Sequence, residues 1–126
     1  MLGTADIVAF VPTKNPDKAR QFYEKTLGLK FIADDKFALV FESKQVMIRV
    51  VDISGFPDYK PPPFTVLGWG VNDIGKTVSG LQKRGVKFER YPGLEQDELG
   101  VWTAPGNAKV AWFKDPDGNT LSLSQH

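Results

Sequence analysis

The sequence predicts an α+β fold built from two copies of one strand–helix–strands unit. Three observations lead to this prediction. Each half of the 126-residue chain contains a capped amphipathic helix, each helix ends at a glycine, and each glycine precedes an apolar residue, lysine and phenylalanine (29–31 and 86–88). One such unit cannot bury both its helix stripe and its sheet face, so two units in one chain complete a core.

The first half contains one predicted helix and four predicted strands. The helix begins at Asn15, Pro16 and Asp17, which are an N-cap residue, a first-turn proline and a first-turn acid. It ends at Gly28. Its apolar stripe is Ala19, Phe22, Tyr23, Thr26 and Leu27. The predicted strands are 6–11, 29–33, 37–41 and 46–51.

The second half repeats this order. A strand at 66–71 precedes a helix capped at Asn72 and Asp73 and ended at Gly85. The segment 86–89 echoes 29–32, and further strands are predicted at 101–103, 110–113 and 120–124. We therefore expect a single domain over 1–126, with a first module at 1–55, a proline-rich linker at 56–64 and a second module at 65–126.

Composition excludes several classes of function. The net charge of +1 gives no reason to expect nucleic acid or a membrane as partner. The chain has no cysteine, so it has no disulfide, thiolate nucleophile or cysteine zinc site. Its one histidine, His126, offers no catalytic Ser–His pair. With no signal-peptide pattern or long apolar stretch, the expected location is cytoplasmic.

Four stretches carry a resemblance to a known family. They are 6–11, the helix motif Asn15-Pro-x-Lys-Ala-x-x-Phe-Tyr23, Leu27-Gly-Leu29, and Phe113-Lys-Asp-Pro-Asp-Gly-Asn119. Together they resemble the vicinal oxygen chelate superfamily of glyoxalase I, the bleomycin-resistance proteins and the extradiol dioxygenases. The resemblance spans almost the whole chain. It implies two tandem βαβββ modules whose curled mixed sheets surround a cleft, with helices outside, a small-molecule ligand and a homodimer.

Strand alternation then assigns faces within this fold, because successive side chains point to opposite sides of a sheet. The residues expected beneath the helices are Ile7, Ala9, Val11, Leu67, Trp69, Val71, Leu121 and Leu123. The residues expected to face the cleft are Asp6, Val8, Phe10, Val66, Gly68, Gly70, Thr120, Ser122 and Ser124.

The resemblance also implies where metal-dependent relatives would hold their ion. Carried over by position, the four ligands fall on Asp6, on Arg49 or Met47, on Val66 and on Ser122. Valine has no donor atom and a guanidinium repels a cation, so neither a metal nor another cofactor is predicted. The alternative is a displaced metal site that uses Glu42, Glu95, Asp97 or Glu98.

Several other residues are hypotheses for ligand recognition. Arg49 lies in an apolar strand and would bind an anion. The alternatives are a structural ion pair with Asp6 or a loop acid, or simple exposure on a sheet edge. The loop 91–102 would close over the cleft with Glu95, Gln96 and Asp97, or else remain a solvated loop. The alternation does not decide whether Trp102 and Trp112 line the cleft or the core. The full predicted ligand-binding set is Asp6, Phe10, Arg49, Gly68, Tyr91, Glu95, Asp97, Trp102, Trp112 and Ser122.

These observations favour a glyoxalase/bleomycin-resistance-like protein that binds a small aromatic or anionic molecule without a metal. No catalytic residue is predicted. The alternative is a lyase, isomerase or dioxygenase-like enzyme of the same superfamily, with a relocated metal or a metal-free acid/base site. A domain that serves only assembly or regulation is a third hypothesis.

Overall fold

The computed structural model describes all residues, 1–126, as two compact units, Met1–Lys60 and Pro61–His126. Each unit contains one four-stranded mixed sheet and one helical segment. The predicted α+β class and the two tandem modules are therefore confirmed. Neither helix has the length and apolar character needed to span a membrane.

The first unit consists of β1 (Val8–Thr13), α1 (Pro16–Arg20), β2 (Lys30–Asp34), β3 (Ala38–Ser43) and β4 (Val46–Asp52). A short 3-10 helix, Leu2–Thr4, precedes β1. The strand order is β1-β4-β3-β2, with β1 parallel to β4 and the other pairs antiparallel. This is the topology expected of one module.

The first helix begins and ends where the sequence indicates. The Asn15 side chain accepts a hydrogen bond from Lys18 N at 3.2 Å, and Gly28 has a φ of 77°, which favours glycine. The middle differs, because α1 continues as a π-helical segment, Gln21–Thr26. There Leu27 N donates to Phe22 O, five residues back, a spacing that a 3.6-residue period does not predict.

The register of the first sheet separates its two faces. Ala9 and Val11 share one face with Ile48 and Val50, and this face carries α1, because the Tyr23 ring lies 5.9 Å from the ring of the neighbouring Phe41. The opposite face, which we call the open face of the first sheet, presents Val8, Phe10, Val40, Met47 and Arg49.

The face assignment fails at the start of β1. Ile7 was expected beneath the helix, but it is 73% exposed. The reason is that β1 begins at Val8, so neither Ile7 nor Asp6 belongs to a strand and the alternation does not extend to them. Ala9 and Val11 lie on the helix side, as predicted.

The second unit consists of β5 (Thr65–Gly70), α2 (Ile74–Lys83), β6 (Trp102–Thr103), β7 (Lys109–Lys114) and β8 (Thr120–Gln125). The strand order is β5-β8-β7-β6, and β5 runs parallel to β8. Asp73 caps α2 by accepting from Lys76 N at 3.1 Å. The segment 86–89 does not form a strand like its counterpart and makes only an isolated bridge between Phe88 and Phe113.

The register of β7 and β8 separates the faces of the second sheet. Leu121 and Leu123 are buried on the side that carries α2, where Trp69 stacks on Phe113. Thr120 shares the face of Ser122, as predicted, and is itself buried. The opposite side, the open face of the second sheet, presents three cross-strand neighbours in a row, Gly68, Ser122 and Trp112.

The Asp115–Asn119 turn is held by hydrogen bonds to the Asp115 carboxylate. Asp115 Oδ1 accepts from the backbone N–H groups of Asp117 and Asn119, each at 2.9 Å, and Asp115 Oδ2 accepts from Asn119 Nδ2. Both Asp115 and Asn119 are buried, and Gly118 has a φ of 86°. The motif that carries much of the family resemblance therefore holds the β7–β8 connection through its own hydrogen bonds.

Candidate ligand-binding site

Three aromatic rings meet on the open face of the second sheet. The Tyr91 ring meets the Trp112 ring edge-on, with centroids 5.4 Å apart, and the Trp102 and Trp112 rings lie 6.0 Å apart at 32°. Trp112 and Val110 point away from α2, because they alternate along β7 with the buried Ala111 and Phe113. Trp102 lies on the same face, since it is the cross-strand partner of Val110. We call Tyr91, Trp102 and Trp112 the aromatic platform. The question that sequence alternation left open is thereby answered: both tryptophans lie on the open face.

Small residues continue the row beside the platform. Ser122 is the cross-strand neighbour of Trp112, and Gly68 is the next neighbour beyond it. A Cβ atom at position 68 would lie only 2.7 Å from Ser122 Oγ. Next to the Trp112 ring, the sheet surface therefore carries no side chain larger than a serine along this row, and the serine hydroxyl can both donate and accept a hydrogen bond.

The phenol of Tyr91 remains protonated around neutral pH. Burial raises the pKa of Tyr91 above its ordinary value of 10.0, and the negative charge of Glu89 adds to the rise. The platform is therefore uncharged at neutral pH, with two indoles and one phenol as its components.

The loop between Tyr91 and β6 is held in place by hydrogen bonds of the Gln96 side chain. Its Oε1 accepts from Tyr91 N at 2.8 Å, while its Nε2 donates to Glu89 O at 2.9 Å and to Gly100 O at 2.8 Å. One amide group thus ties both ends of the loop together. Gln96 was predicted to read a ligand, but its amide nitrogen and oxygen are engaged with the backbone.

Two further residues fix the acidic part of this loop. Arg90 Nη2 donates to the carbonyl oxygens of Asp97 and Glu98, at 2.7 and 3.0 Å. Asp97 Oδ1 accepts from Leu99 N and Val101 N, each at 2.9 Å. The loop is consequently a preformed structure whose shape depends on its own hydrogen bonds.

A concavity of about 850 Å³ lies between this loop and β6. Glu95 and Asp97 line it from the loop, and Trp102 and the residues 103–105 line it from the strand side. Three predicted ligand-binding residues, Glu95, Asp97 and Trp102, therefore border one space, and Trp102 also belongs to the platform.

The predicted residues of the first unit lie on or near the open face of the first sheet. Arg49 has Phe10 and Val40 as cross-strand neighbours, and its Nη2 donates to Asp35 Oδ2 at 2.7 Å. Asp35 belongs to the β2–β3 turn, so the partner is a loop acid and not Asp6. Hydrogen bonding from Arg49, followed by that from Ala38 N, lowers the pKa of Asp35 below 3.8. Any stabilisation from this pair is present above that value and is lost as the pH falls through the lowered pKa.

Asp6 borders a separate concavity of about 280 Å³ in the first unit. Its other lining residues include Val8, Val40, Glu42 and Met47. Asp6 itself is exposed and precedes β1. This space is mostly apolar, with two carboxylates at its border.

Comparison with known proteins identifies the family of the chain. The family model of the Glyoxalase/Bleomycin resistance protein/Dioxygenase superfamily matches residues 5–123. The chain belongs to this superfamily. The predicted resemblance is confirmed, and it extends over nearly the entire sequence.

Three individual proteins are similar to this chain over most of its length. A probable lactoylglutathione lyase of Vibrio cholerae is 27% identical over 121 residues, which cover 87% of this chain and 82% of the relative. A superfamily member from Sphaerobacter thermophilus has a TM-score of 0.77 at 22% identity, with full coverage of both chains. An antibiotic binding protein from Streptomyces sp. CB03234 has a TM-score of 0.71 at 27% identity, with 99% of this chain and 98% of that chain covered.

The positions at which metal-dependent superfamily members would hold an ion do not suit a cation here. In the first unit, Asp6 is exposed ahead of β1, and Arg49 carries a positive charge. In the second unit, Val66 has no donor atom and Ser122 offers only a neutral hydroxyl. No group of three or more His, Cys, Asp and Glu side chains is arranged to hold a metal. This superfamily member thus lacks the usual metal ligands.

Sequence reasoning missed two residues that shape these surfaces. Asp35, which lies three residues before β3, was not singled out among the loop acids that could pair with Arg49. Arg90 was not singled out, and no local pattern marks it, because its two acceptors are backbone carbonyls seven and eight residues away.

Proposed function

We propose that this protein binds a flat aromatic small molecule on the aromatic platform, without a catalytic metal. The observation that carries the proposal is the meeting of the Tyr91, Trp102 and Trp112 rings on the sheet face opposite α2. Rings that served only the core would be expected on the helix side, where Trp69 and Phe113 lie.

The physical chemistry of the platform suits a planar ligand. Aromatic pairs gain about 0.5–1.5 kcal/mol beyond their area burial when they stack offset or edge-to-face. The row of Ser122 and Gly68 beside Trp112 leaves space for a second ring system at the sheet surface. The serine hydroxyl and the neutral Tyr91 phenol supply hydrogen-bonding groups that would orient a hydroxyl or carbonyl substituent.

The similarity to the antibiotic binding protein from Streptomyces sp. CB03234 supports binding as the activity. That protein is described by what it binds, and it matches nearly the whole of this chain. Together with the absence of the usual metal ligands, it favours a protein that sequesters or carries a compound over one that transforms it.

A fluorescence titration with 2-naphthol tests the proposal. This planar probe should quench tryptophan emission saturably, whereas decahydro-2-naphthol, its saturated counterpart, should not. The substitution Trp112→Ala should weaken 2-naphthol binding roughly tenfold, which corresponds to about 1.4 kcal/mol of lost stacking.

The matched control is Trp69→Phe, which changes a tryptophan on the helix side of the same sheet. This variant should bind 2-naphthol with the affinity of the wild type. Equal affinity of the Trp112→Ala variant and the wild type, or equal binding of the planar and saturated probes, would contradict the platform as the ligand site. A thermal-shift screen in which no class of small molecule stabilises the protein would favour a purely structural domain.

A second candidate function is a lyase or isomerase, favoured by the similarity to the probable lactoylglutathione lyase of Vibrio cholerae. Such an activity would need a relocated metal or a metal-free acid/base site, for which Glu95 and Asp97, which line the concavity beside Trp102, are the candidate carboxylates. Elemental analysis of purified protein separates the metal-dependent form of this hypothesis from the binder. One tightly held divalent ion per chain would favour the enzyme.

A further inference from the structure

Arg49 occupies the middle of the open face of the first sheet, with mostly apolar neighbours, while Lys30 and Glu42 are cross-strand partners farther along the same face. Arg49 lies on β4, between β1 and β3 in the sheet. On the open face its cross-strand neighbours are Phe10 and Val40, and its neighbours along the strand are Met47 and Val51. The Arg49 side chain is 24% exposed, so an anion that reaches it from solvent meets the guanidinium charge together with the apolar side chains beside it.

Most of the hydrogen-bonding capacity of Arg49 is unused. A guanidinium has five N–H donors in one plane, and here only Nη2 has a partner, Asp35 Oδ2 at 2.7 Å. The side chain is 24% exposed, yet no buried side-chain nitrogen lacks a partner, so the remaining donors are accessible. A structural ion pair with optimal geometry would instead use two parallel bonds.

Asp35 is held in place independently of Arg49. Its Oδ1 accepts from Phe37 N at 3.0 Å and from Ala38 N at 2.8 Å, which fixes the carboxylate within the β2–β3 turn. Only its second oxygen faces the arginine. The turn therefore presents a carboxylate oxygen to Arg49 in the position that an external anion would take.

We propose that Arg49 is a binding site for a small organic carboxylate, and that Asp35 is an internal competitor that occupies it in the absence of ligand. A planar guanidinium matches the two oxygens of a carboxylate, and Phe10 and Met47 provide apolar contacts for the remainder of such a molecule. This site goes beyond the proposed function, since it lies on the first sheet and does not involve the aromatic platform.

Internal competition has a measurable consequence. The apparent dissociation constant of an external ligand equals its intrinsic value divided by the fraction of molecules in which the site is free. An anchored carboxylate keeps that fraction small. Removing its charge while preserving the turn should therefore tighten binding of an external carboxylate.

The substitution Asp35→Asn makes this change, since an asparagine Oδ1 still accepts from Phe37 N and Ala38 N. Titration calorimetry with cyclohexanecarboxylate, a saturated anion unsuited to stacking, should show roughly fivefold tighter binding to Asp35→Asn than to the wild type, as expected for release of an exposed ion pair. Cyclohexanecarboxamide should bind neither protein. Adding Arg49→Met to Asp35→Asn should abolish carboxylate binding.

The matched control is Asp34→Asn, because Asp34 accepts from Lys36 N in the same turn but makes no contact with Arg49. It should bind the carboxylate as weakly as the wild type. Equal affinity of Asp35→Asn and the wild type, or undiminished binding after Arg49→Met, would overturn the proposal.

If Asp35→Asn does not fold, the NMR resonance of the Arg49 Nε–H group in the wild type provides the test. It should shift with saturating carboxylate and not with the carboxamide, and an unmoved resonance would contradict the site. Trp112→Ala should leave this binding unchanged, so failure here and failure of the platform are separate results.

Discussion

Gly68 shows how a single residue shapes the proposed platform. Its position on β5 faces Ser122, whose Oγ and backbone O would lie 2.7 and 3.3 Å from an added Cβ. Both distances are shorter than ordinary van der Waals contact. Glycine at this site therefore allows β5 and β8 to pair while the serine hydroxyl rests over the strand, next to Trp112.

The substitution Gly68→Ala should lower the free energy of unfolding by about 1 kcal/mol, at the low end of the cost of overpacking, since the Ser122 side chain is able to rotate away. Urea denaturation measures this change. Ser122→Ala in the same chain should recover part of the loss, because it removes the closer contact and leaves only the backbone contact at 3.3 Å.

Gly70 provides the matched control, because it lies on the same strand and face but has nothing within 4 Å of an added Cβ. Gly70→Ala should be neutral or slightly stabilising, since alanine restricts the unfolded chain more than glycine does. Equal stability effects at positions 68 and 70 would show that the contact with Ser122 does not limit the residue at position 68.

At the scale of elements, the loop between the bridge at Phe88 and strand β6 acts as a scaffold. Loops of this length in compact domains are often mobile, but here one glutamine amide and one arginine side chain bind backbone groups across it. Its order therefore comes from side-chain hydrogen bonds, and it sets the position of Tyr91 relative to Trp112.

Gln96→Ala should destabilise the loop more than the rest of the chain. Three hydrogen bonds are lost, and the partly buried Glu89 and Gly100 carbonyls lose a partner, which costs about 2 kcal/mol. Hydrogen exchange of the backbone amides in 89–101 should accelerate, while amides in β7 and β8 should change little. Glu98→Ala, which removes an exposed carboxylate from the same loop, is the control and should leave exchange unchanged. Uniform acceleration across the second unit would contradict a local role for Gln96.

The sequence predicted the helices and strands better than the residues at which strands begin and the side-chain contacts between elements. Alternation along β1 and β8 correctly placed Val11, Leu121 and Leu123 on the helix side because both strands are long enough to define a period. It failed for Ile7, which lies before the strand begins, and it left Trp102 undecided because β6 has only two residues. The Arg49–Asp35 contact joins a strand to a distant turn, and no local pattern specifies which acid in a loop will meet the arginine.

For the whole molecule, the fold was predictable because the same signals occur twice and end in one recognisable turn. The activity was not, because superfamily members with this architecture carry different chemistry in their site residues. The features of this chain that bear on its activity are a cation at Arg49, an apolar residue at Val66 and three aromatic rings on the second sheet.

Self-association is the prediction that concerns the whole molecule. Val8, Phe10 and Met47 are exposed together on the open face of the first sheet, and Phe10 is 61% exposed. Large apolar side chains grouped on one face of a soluble domain usually mark an interaction surface. We therefore expect the chain to form a homodimer that buries this face, and light scattering coupled to gel filtration should give twice the mass of the chain.

Phe10→Lys should shift this equilibrium to the monomer, because a desolvated lysine beside Arg49 would place two like charges in the contact. Phe64→Lys is the matched control: Phe64 is also a largely exposed phenylalanine, but it precedes β5 and lies on no sheet face. A dimer that survives Phe10→Lys but dissociates with Phe64→Lys would place the interface elsewhere. A wild-type protein that is monomeric would contradict the prediction that a second copy covers the open face of the first sheet. Since Arg49 lies on this same face, dimerisation would also decide how freely a carboxylate reaches it. The affinity of Asp35→Asn for cyclohexanecarboxylate should therefore rise when Val8→Gln, a neutral change at an exposed residue that the proposed carboxylate site does not use, weakens the dimer.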